Sequence, residues 1–115
     1  MKLKRILCMV TAGMLLVVCS AAGQDARTKS LKNGKGLYEI KCEGCHGPTG
    51  EGKPNVVDFY DGKMRPLGSK EVQARTDADF KRIITTGQGK MGGFARGMSD
   101  HDITDLVAFL RTLKR

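Results

Sequence analysis

Long apolar runs are missing from this chain. The longest, Ile6–Val18, has 13 residues, short of the roughly 20 that an apolar helix needs to cross a bilayer. A disulfide framework is missing too. Of four cysteines, Cys8 and Cys19 fall in or beside that early run. Only Cys42 and Cys45 remain, two residues apart, and such a pair cannot staple a small domain. Strand-type alternation of apolar and polar residues is absent, so the expected fold class is all-α. No Lys/Arg run interleaved with aromatics occurs, which argues against nucleic acid as a partner.

What is present begins with Lys2, Lys4 and Arg5 before the apolar run, and Ser20, Ala21, Ala22 and Gly23 after it. A basic start, a short apolar stretch and a small-residue end predict a secretory signal peptide over 1–22, cleaved near Ala22–Gly23. A retained membrane anchor is the alternative. Leu16-Val17-Val18-Cys19 also approaches a lipobox, with Val18 where that pattern wants a smaller residue, so lipid anchoring through Cys19 is a further alternative. The expected location is periplasmic or exported. Twenty Lys and Arg against 12 Asp and Glu give a formal charge of +8. That basic balance favours acidic partners or anionic membrane faces.

Residues 23–33 are polar and basic and read as a flexible leader to one domain over 34–115. Asn33 to Lys41 is expected to be helical, with Leu37, Tyr38 and Ile40 as its apolar positions. Residues 43–68 read as irregular, because Gly44, Gly47, Gly50, Gly52, Gly62 and Gly68 alternate with Pro48, Pro54 and Pro66. So long a loop suggests a buried group for it to wrap. Ser69 to Ala74 is expected to form a short helical turn. Thr76 with Asp79 forms a capping box for a helix to Thr85, with Phe80, Ile83 and Ile84 on one face and Gly87 at its stop. Ser99 with Asp102 forms another, and Ile103, Leu106, Val107 and Leu110 follow at helical spacing. Arg111, Lys114 and Arg115 suit the negative end of that helix dipole.

Cys42-Glu43-Gly44-Cys45-His46 is the haem c attachment signature. Two thiols on one short turn match the spacing of the two haem vinyl groups, to which they add as thioethers. The adjacent histidine presents an imidazole to the iron. The motif thus predicts one haem c bound covalently through Cys42 and Cys45, with His46 as an iron ligand. Two other chemistries use such residues. A thioredoxin-type dithiol belongs near a βαβ pattern, which is lacking here. Zinc needs four ligands, and only Cys42, Cys45, His46 and the distant His101 are available.

The chain resembles a class I c-type cytochrome of the short bacterial kind over residues 34–113. Gly34-Lys35-Gly36-Leu37-Tyr38 is similar to that family's N-terminal helix, and His46-Gly47-x-x-Gly50-x-Gly52 to its post-haem loop. Asp77 to Phe94 is similar to the segment leading to the second iron ligand. Ser99-Asp100 followed by Leu106-Val107-Ala108-Phe109-Leu110 is similar to its C-terminal helix. The resemblance implies that the terminal helices cross with Gly34 and Tyr38 against Leu106 and Phe109. It implies Met91 as sixth ligand, in Gly89-Lys90-Met91-Gly92-Gly93-Phe94, where relatives usually carry proline after the methionine. A thioether ligand raises the potential relative to two histidines. The glycine pair costs more entropy to order, so a weak or exchangeable Met91 bond is expected.

Met98 reads as core filling before the helix cap, Met64 as a loop residue filling a gap, and His101 as an exposed imidazole, with iron ligation the lesser alternative for each. His46 is expected to donate its second ring N–H to a backbone carbonyl. The resemblance makes Pro54 the acceptor, against a plain turn role for it. Phe59, Phe80 and Phe94 are candidates to wall the haem or to form ordinary core. Electron carriage without enzymatic catalysis, toward redox proteins with acidic docking surfaces, is the first functional expectation. A haem module with a labile sixth site that takes a small ligand is a second. An electron-transfer subunit of a larger, membrane-bound oxidoreductase is a third.

Overall fold

The computed structural model describes the backbone from Lys2 to Arg115 and the side chains from Ala21 onward. The apolar leader and Cys19 lie outside the residues whose side chains are described. Among the described residues no helix is long and apolar enough to cross a membrane. Chain order is α1 (Lys2–Lys41), α2 (Glu43–His46), α3 (Pro54–Phe59), α4 (Lys70–Gln73), α5 (Asp77–Thr86), β1 (Gly87–Gln88), β2 (Met91–Gly92) and α6 (Asp100–Thr112). The fold is mainly helical, as expected. The two strands are a two-residue antiparallel pair, Gly87 opposite Gly92 and Gln88 opposite Met91, too short for alternation to mark them in sequence.

Both expected capping boxes are formed. Thr76 Oγ1 accepts from the Asp79 amide at 3.1 Å and Ser99 Oγ from the Asp102 amide at 3.1 Å, while each aspartate reaches back to its cap's N–H. These hydrogen bonds hold the Asp79 and Asp102 carboxyls below the usual carboxylate range. Ser69 caps α4 in the same way, accepting from Val72.

The core lies between α1, α5 and α6. It consists of Tyr38, Phe80, Ile84, Ile103, Leu106, Val107 and Leu110. The α1–α6 crossing matches the resemblance. A Cβ on Gly34 would stand 2.1 Å from the Asp105 carbonyl oxygen, so only glycine allows this approach. One turn further, the Tyr38 and Phe109 rings meet with centroids 5.3 Å apart. Arg111 does more than suit the helix dipole. Its guanidinium donates to Asp77 Oδ1, the Gln73 carbonyl and the Arg75 carbonyl at 2.7–2.9 Å, and it lies 4.5 Å from the centre of the Phe80 ring. It thereby fastens α4 and the start of α5 to α6.

Three expectations change. Residues 23–33, expected as a flexible leader, are helical and continuous with α1. Ser30 Oγ donates to Asp105 Oδ1 at 2.5 Å and Asn33 Nδ2 to Asp105 Oδ2 at 2.9 Å. The contact stripe on α1 is polar at its start, which hydrophobic spacing cannot reveal. Ile40, expected on the apolar face, is exposed because Gly34 and Tyr38 set that face. Residues 43–68 are not wholly irregular. Pro54, at the first position of α3, starts a six-residue helix there.

Candidate functional site

The Cys42–His46 motif sits at a break in helical direction. Cys42, with φ −119° and ψ −37°, separates α1 from α2. Its amide still bonds to the Tyr38 carbonyl at 2.8 Å, and the Cys45 and His46 amides donate back to the Cys42 carbonyl at 3.1 and 2.9 Å. The motif is therefore one turn hung rigidly from the end of α1. Beyond it, Gly47 takes φ +77°, which favours glycine. Tyr38 Oη donates to the Gly47 carbonyl at 2.5 Å. Burial, with the nearby Cys42 adding, pushes the Tyr38 hydroxyl up to about 12, so it stays a donor. The Gly52 and Lys53 amides then donate to the His46 and Cys45 carbonyls at 2.7 and 3.1 Å. The glycine-rich loop is folded back over the motif by these bonds.

In front of α2 opens a cleft of about 680 Å³, within the range of roughly 300–1,000 Å³ usual for ligand and cofactor sites. Cys42, Cys45 and His46 line it together with Met64 and Met91, and Ile83 and Phe94 add apolar wall. Lys41, Lys63, Lys90 and Asp61 also border it. The structure thus brings all four expected site residues to one cavity. Met98 is elsewhere, packed on the core. His101 is 81% exposed, with Nδ1 3.3 Å from Asp105 Oδ2. Of the three phenylalanines, Phe94 lines the cleft, Phe80 is core, and Phe59 is 62% exposed. Ile83 was legible as apolar but not as cleft wall, since it neighbours the core-facing Ile84 on the same helix.

Met91 is positioned by a hairpin. Gln88 faces Met91 across the β1–β2 pair, and the connecting residues are Gly89, at φ +59°, and Lys90. Glycine first at positive φ is the pattern of a type II′ hairpin. Phe94 and Ala95 amides donate to the Ile84 and Thr85 carbonyls at 2.7 and 3.2 Å. A Cβ on Gly93 would stand 2.3 Å from the Thr85 carbonyl oxygen, whereas one on Gly92 would meet nothing within 4 Å. The glycine pair is therefore a close-packing device at its second member, not a slack joint.

The residues fit a covalently held haem. Burial holds His46 below the ordinary histidine pKa, so the cleft wall presents a neutral imidazole, the form that ligates iron. Its Nδ1 is buried without a hydrogen-bond partner. The expected bond to the Pro54 carbonyl is not made. Burial pushes the Cys42 thiol up to about 11. A catalytic dithiol needs the opposite shift, toward a reactive thiolate. Among the described residues no three or more of His, Cys, Asp and Glu gather as a metal site would require. Iron in haem needs no such cluster, since the macrocycle supplies four of its donors.

Comparison with known proteins agrees with this geometry. A family model described as cytochrome c oxidase, cbb3-type, subunit III, matches residues 29–110. The thiosulfate dehydrogenase of Psychrobacter arcticus is 32% identical over 87 residues, covering 72% of this chain and 26% of that protein. Cytochrome c-L of Methylorubrum extorquens is 29% identical over 85 residues, covering 72% of this chain and 40% of that one. The chain thus spans well under half the length of these relatives. The solved structure of the KustC0563 c-type cytochrome matches with a TM-score of 0.64 and 25% identity, covering 71% of this chain and 98% of that one. The chain belongs to the family of cbb3-type cytochrome c oxidase subunit III and is a monohaem c-type cytochrome, with haem c bound covalently for electron transfer.

Proposed function

We propose that the protein is an exported, periplasmic electron carrier whose haem iron is held between His46 and Met91 and which catalyses no reaction of its own. The observation that carries this reading is the cleft, where the Cys42–His46 turn and the Met91 hairpin line one cavity. When bound, the haem supplies a one-electron couple. The chain's residues set its conditions. His46 offers a neutral imidazole from a turn fixed by three backbone bonds. Met91 offers a thioether, a donor that favours ferrous iron. Phe94 and Ile83 make part of the cleft wall apolar. Lys41, Lys63 and Lys90 make the rim basic, with Asp61 the acidic exception, and such a rim steers acidic docking surfaces of redox partners.

A second reading, an electron-transfer subunit held in a larger membrane-bound oxidoreductase, is favoured by the description of the matching family. The labile-site reading rests on Gly92-Gly93, of which Gly93 packs against the Thr85 carbonyl and Gly92 meets nothing within 4 Å. The test is potentiometry of the haem-loaded protein together with carbon monoxide mixing. A reversible one-electron wave and no rapid uptake of carbon monoxide by the ferrous form are expected. Rapid uptake would instead identify a ligand-binding module. Co-purification with a membrane oxidoreductase, and no free protein in the periplasmic fraction, would favour the subunit.

A further inference from the structure

The cleft holds a second thioether that the His46/Met91 pair leaves unused. Between Asp61 and Pro66 only Met64 turns inward; the other five residues are exposed. Met64 turns toward the cleft and not toward the core. The residues packed on the apolar core include Met98 but neither Met64 nor Met91. Gap filling, the usual work of a methionine in a core, therefore describes Met98 and not Met64.

The backbone on each side of Met64 is tied. The Lys63 amide donates to the Tyr60 carbonyl at 3.0 Å and the Leu67 amide to the Gly50 carbonyl at 2.7 Å. Between those bonds the chain is irregular. Lys90, next to Met91, reaches the same region. Its Nζ donates to the Phe59 carbonyl at 2.7 Å and lies 4.4 Å from the centre of the Phe59 ring. The hairpin that carries Met91 is thereby joined to the end of α3, five residues before Met64. One linked wall brings two methionines to one cavity.

We propose that Met64 is a reserve axial ligand, which binds the iron when Met91 leaves it. The exchange breaks one S–Fe bond and forms another of the same kind, with no proton moved and no change of oxidation state. The sixth position then passes between two thioethers instead of opening to solvent. This rests on the reading that His46 and Met91 are the ground-state ligands.

The experiment compares the haem-loaded protein with its Met64→Ala, Met91→Ala and doubly substituted forms. Two signals are read: the thioether-to-ferric charge-transfer band and the rate of carbon monoxide binding to the ferrous form. Met91→Ala should keep a thioether band, shifted or weakened. It should take up carbon monoxide on the order of tenfold more slowly than the double variant, since its open form is a minority state. Only the double variant should lose the band. Loss of the band in Met91→Ala, with carbon monoxide binding as fast as in the double variant, overturns the proposal and leaves the His46/Met91 reading intact. Loss in Met64→Ala alone makes Met64 the ground-state ligand and overturns the proposed order. Absence of any thioether band in the unaltered protein overturns both readings. Methyl-labelled methionine in the unaltered ferrous protein gives a check free of folding effects. The Met64 methyl should show a large ring-current shift, and an ordinary resonance position for it refutes the proposal.

Discussion

Gly34 tests whether the α1–α6 crossing organises the domain. A Cβ at that position would lie 2.1 Å from the Asp105 carbonyl oxygen, 2.7 Å from its carbonyl carbon and 3.0 Å from Phe109 Cβ. The first two neighbours are backbone atoms with no rotamer to escape into. Ordinary contact needs ~3.5 Å, so the helices must part by roughly 1.4 Å. Parting them loosens the buried Tyr38 and its contact with Phe109. Overpacking of this kind costs about 1–3 kcal/mol. Removing a glycine from a helix returns up to about 1 kcal/mol. Because the clash is backbone on backbone, the upper part of the first range applies, and Gly34→Ala should destabilise by about 1–2 kcal/mol net. In a domain of this size that lowers Tm by roughly 5–15 °C. Gly36 is the internal control. It lies two residues on in the same helix and has nothing within 4 Å of its Cβ position, so Gly36→Ala should raise Tm by a few degrees, through helix propensity alone. Thermal unfolding of the haem-loaded variants, followed by far-UV circular dichroism, measures both. A Gly34→Ala protein as stable as Gly36→Ala would refute the crossing.

Replacing Cys42 and Cys45 together with Ala should abolish covalent haem, read by intact mass, and leave the chain with little native helix by circular dichroism; a well-folded apo-protein would contradict this. Gly93→Ala places a Cβ 2.3 Å from the Thr85 carbonyl oxygen, while Gly92→Ala places one in open space. The first should therefore shift or weaken the thioether band, and the second should leave it unchanged. Like Asp79 and Asp102, Asp105 contributes to acid sensitivity. Burial opposes its ionisation, but hydrogen bonds from Ser30 and Asn33, with His101 nearby, outweigh that and hold its carboxyl below the ordinary range. A folded pKa below the unfolded value of about 3.9 means that the ionised form stabilises the fold above that pH. This contribution is lost as pH falls through the folded value. Denaturant titrations from pH 6 to pH 2 should show the loss, and Asp105→Asn should flatten it; an unchanged slope in the variant would remove Asp105 from the account.

The helices of the second half were legible because each begins with a polar cap and carries an apolar stripe. Thr76 with Asp79 and Ser99 with Asp102 announce α5 and α6 without any tertiary information. The extent of α1 was not legible. Ser30 and Asn33 face α6 because Asp105, 4% exposed, is the polar member of that helix's inner face, and a stripe of hydrogen-bonding residues leaves no hydrophobic period to read. Cys42, Cys45 and His46 could be named in advance, since attachment chemistry constrains residue type and spacing, whereas Met91 came only from the resemblance to a family. Met64 could not be distinguished from a gap-filling methionine. What distinguishes it is the direction in which one residue of an exposed loop turns, and direction in a loop follows from distant anchors such as the Gly50 carbonyl and Lys90.

The same division explains why the attached group is part of the fold as well as its function. Every fully buried apolar side chain belongs to α1, α5 or α6. α2, α3 and α4 contribute none. The segment from Glu43 to Gln73 is held by backbone bonds, by the Tyr38 hydroxyl, and by Gln73 Nε2, which donates to the Leu67 and Leu110 carbonyls at 2.8 and 3.0 Å. Hydrogen bonds of this kind fix direction but contribute only about 1 kcal/mol each. An apolar macrocycle in the cleft would bury Ile83, Phe94, Met64 and Met91 at once and add to the partial contact that Leu67 and Val72 of this segment make with the core. Covalent attachment would hold that second core permanently in a small domain with no disulfide among its described residues.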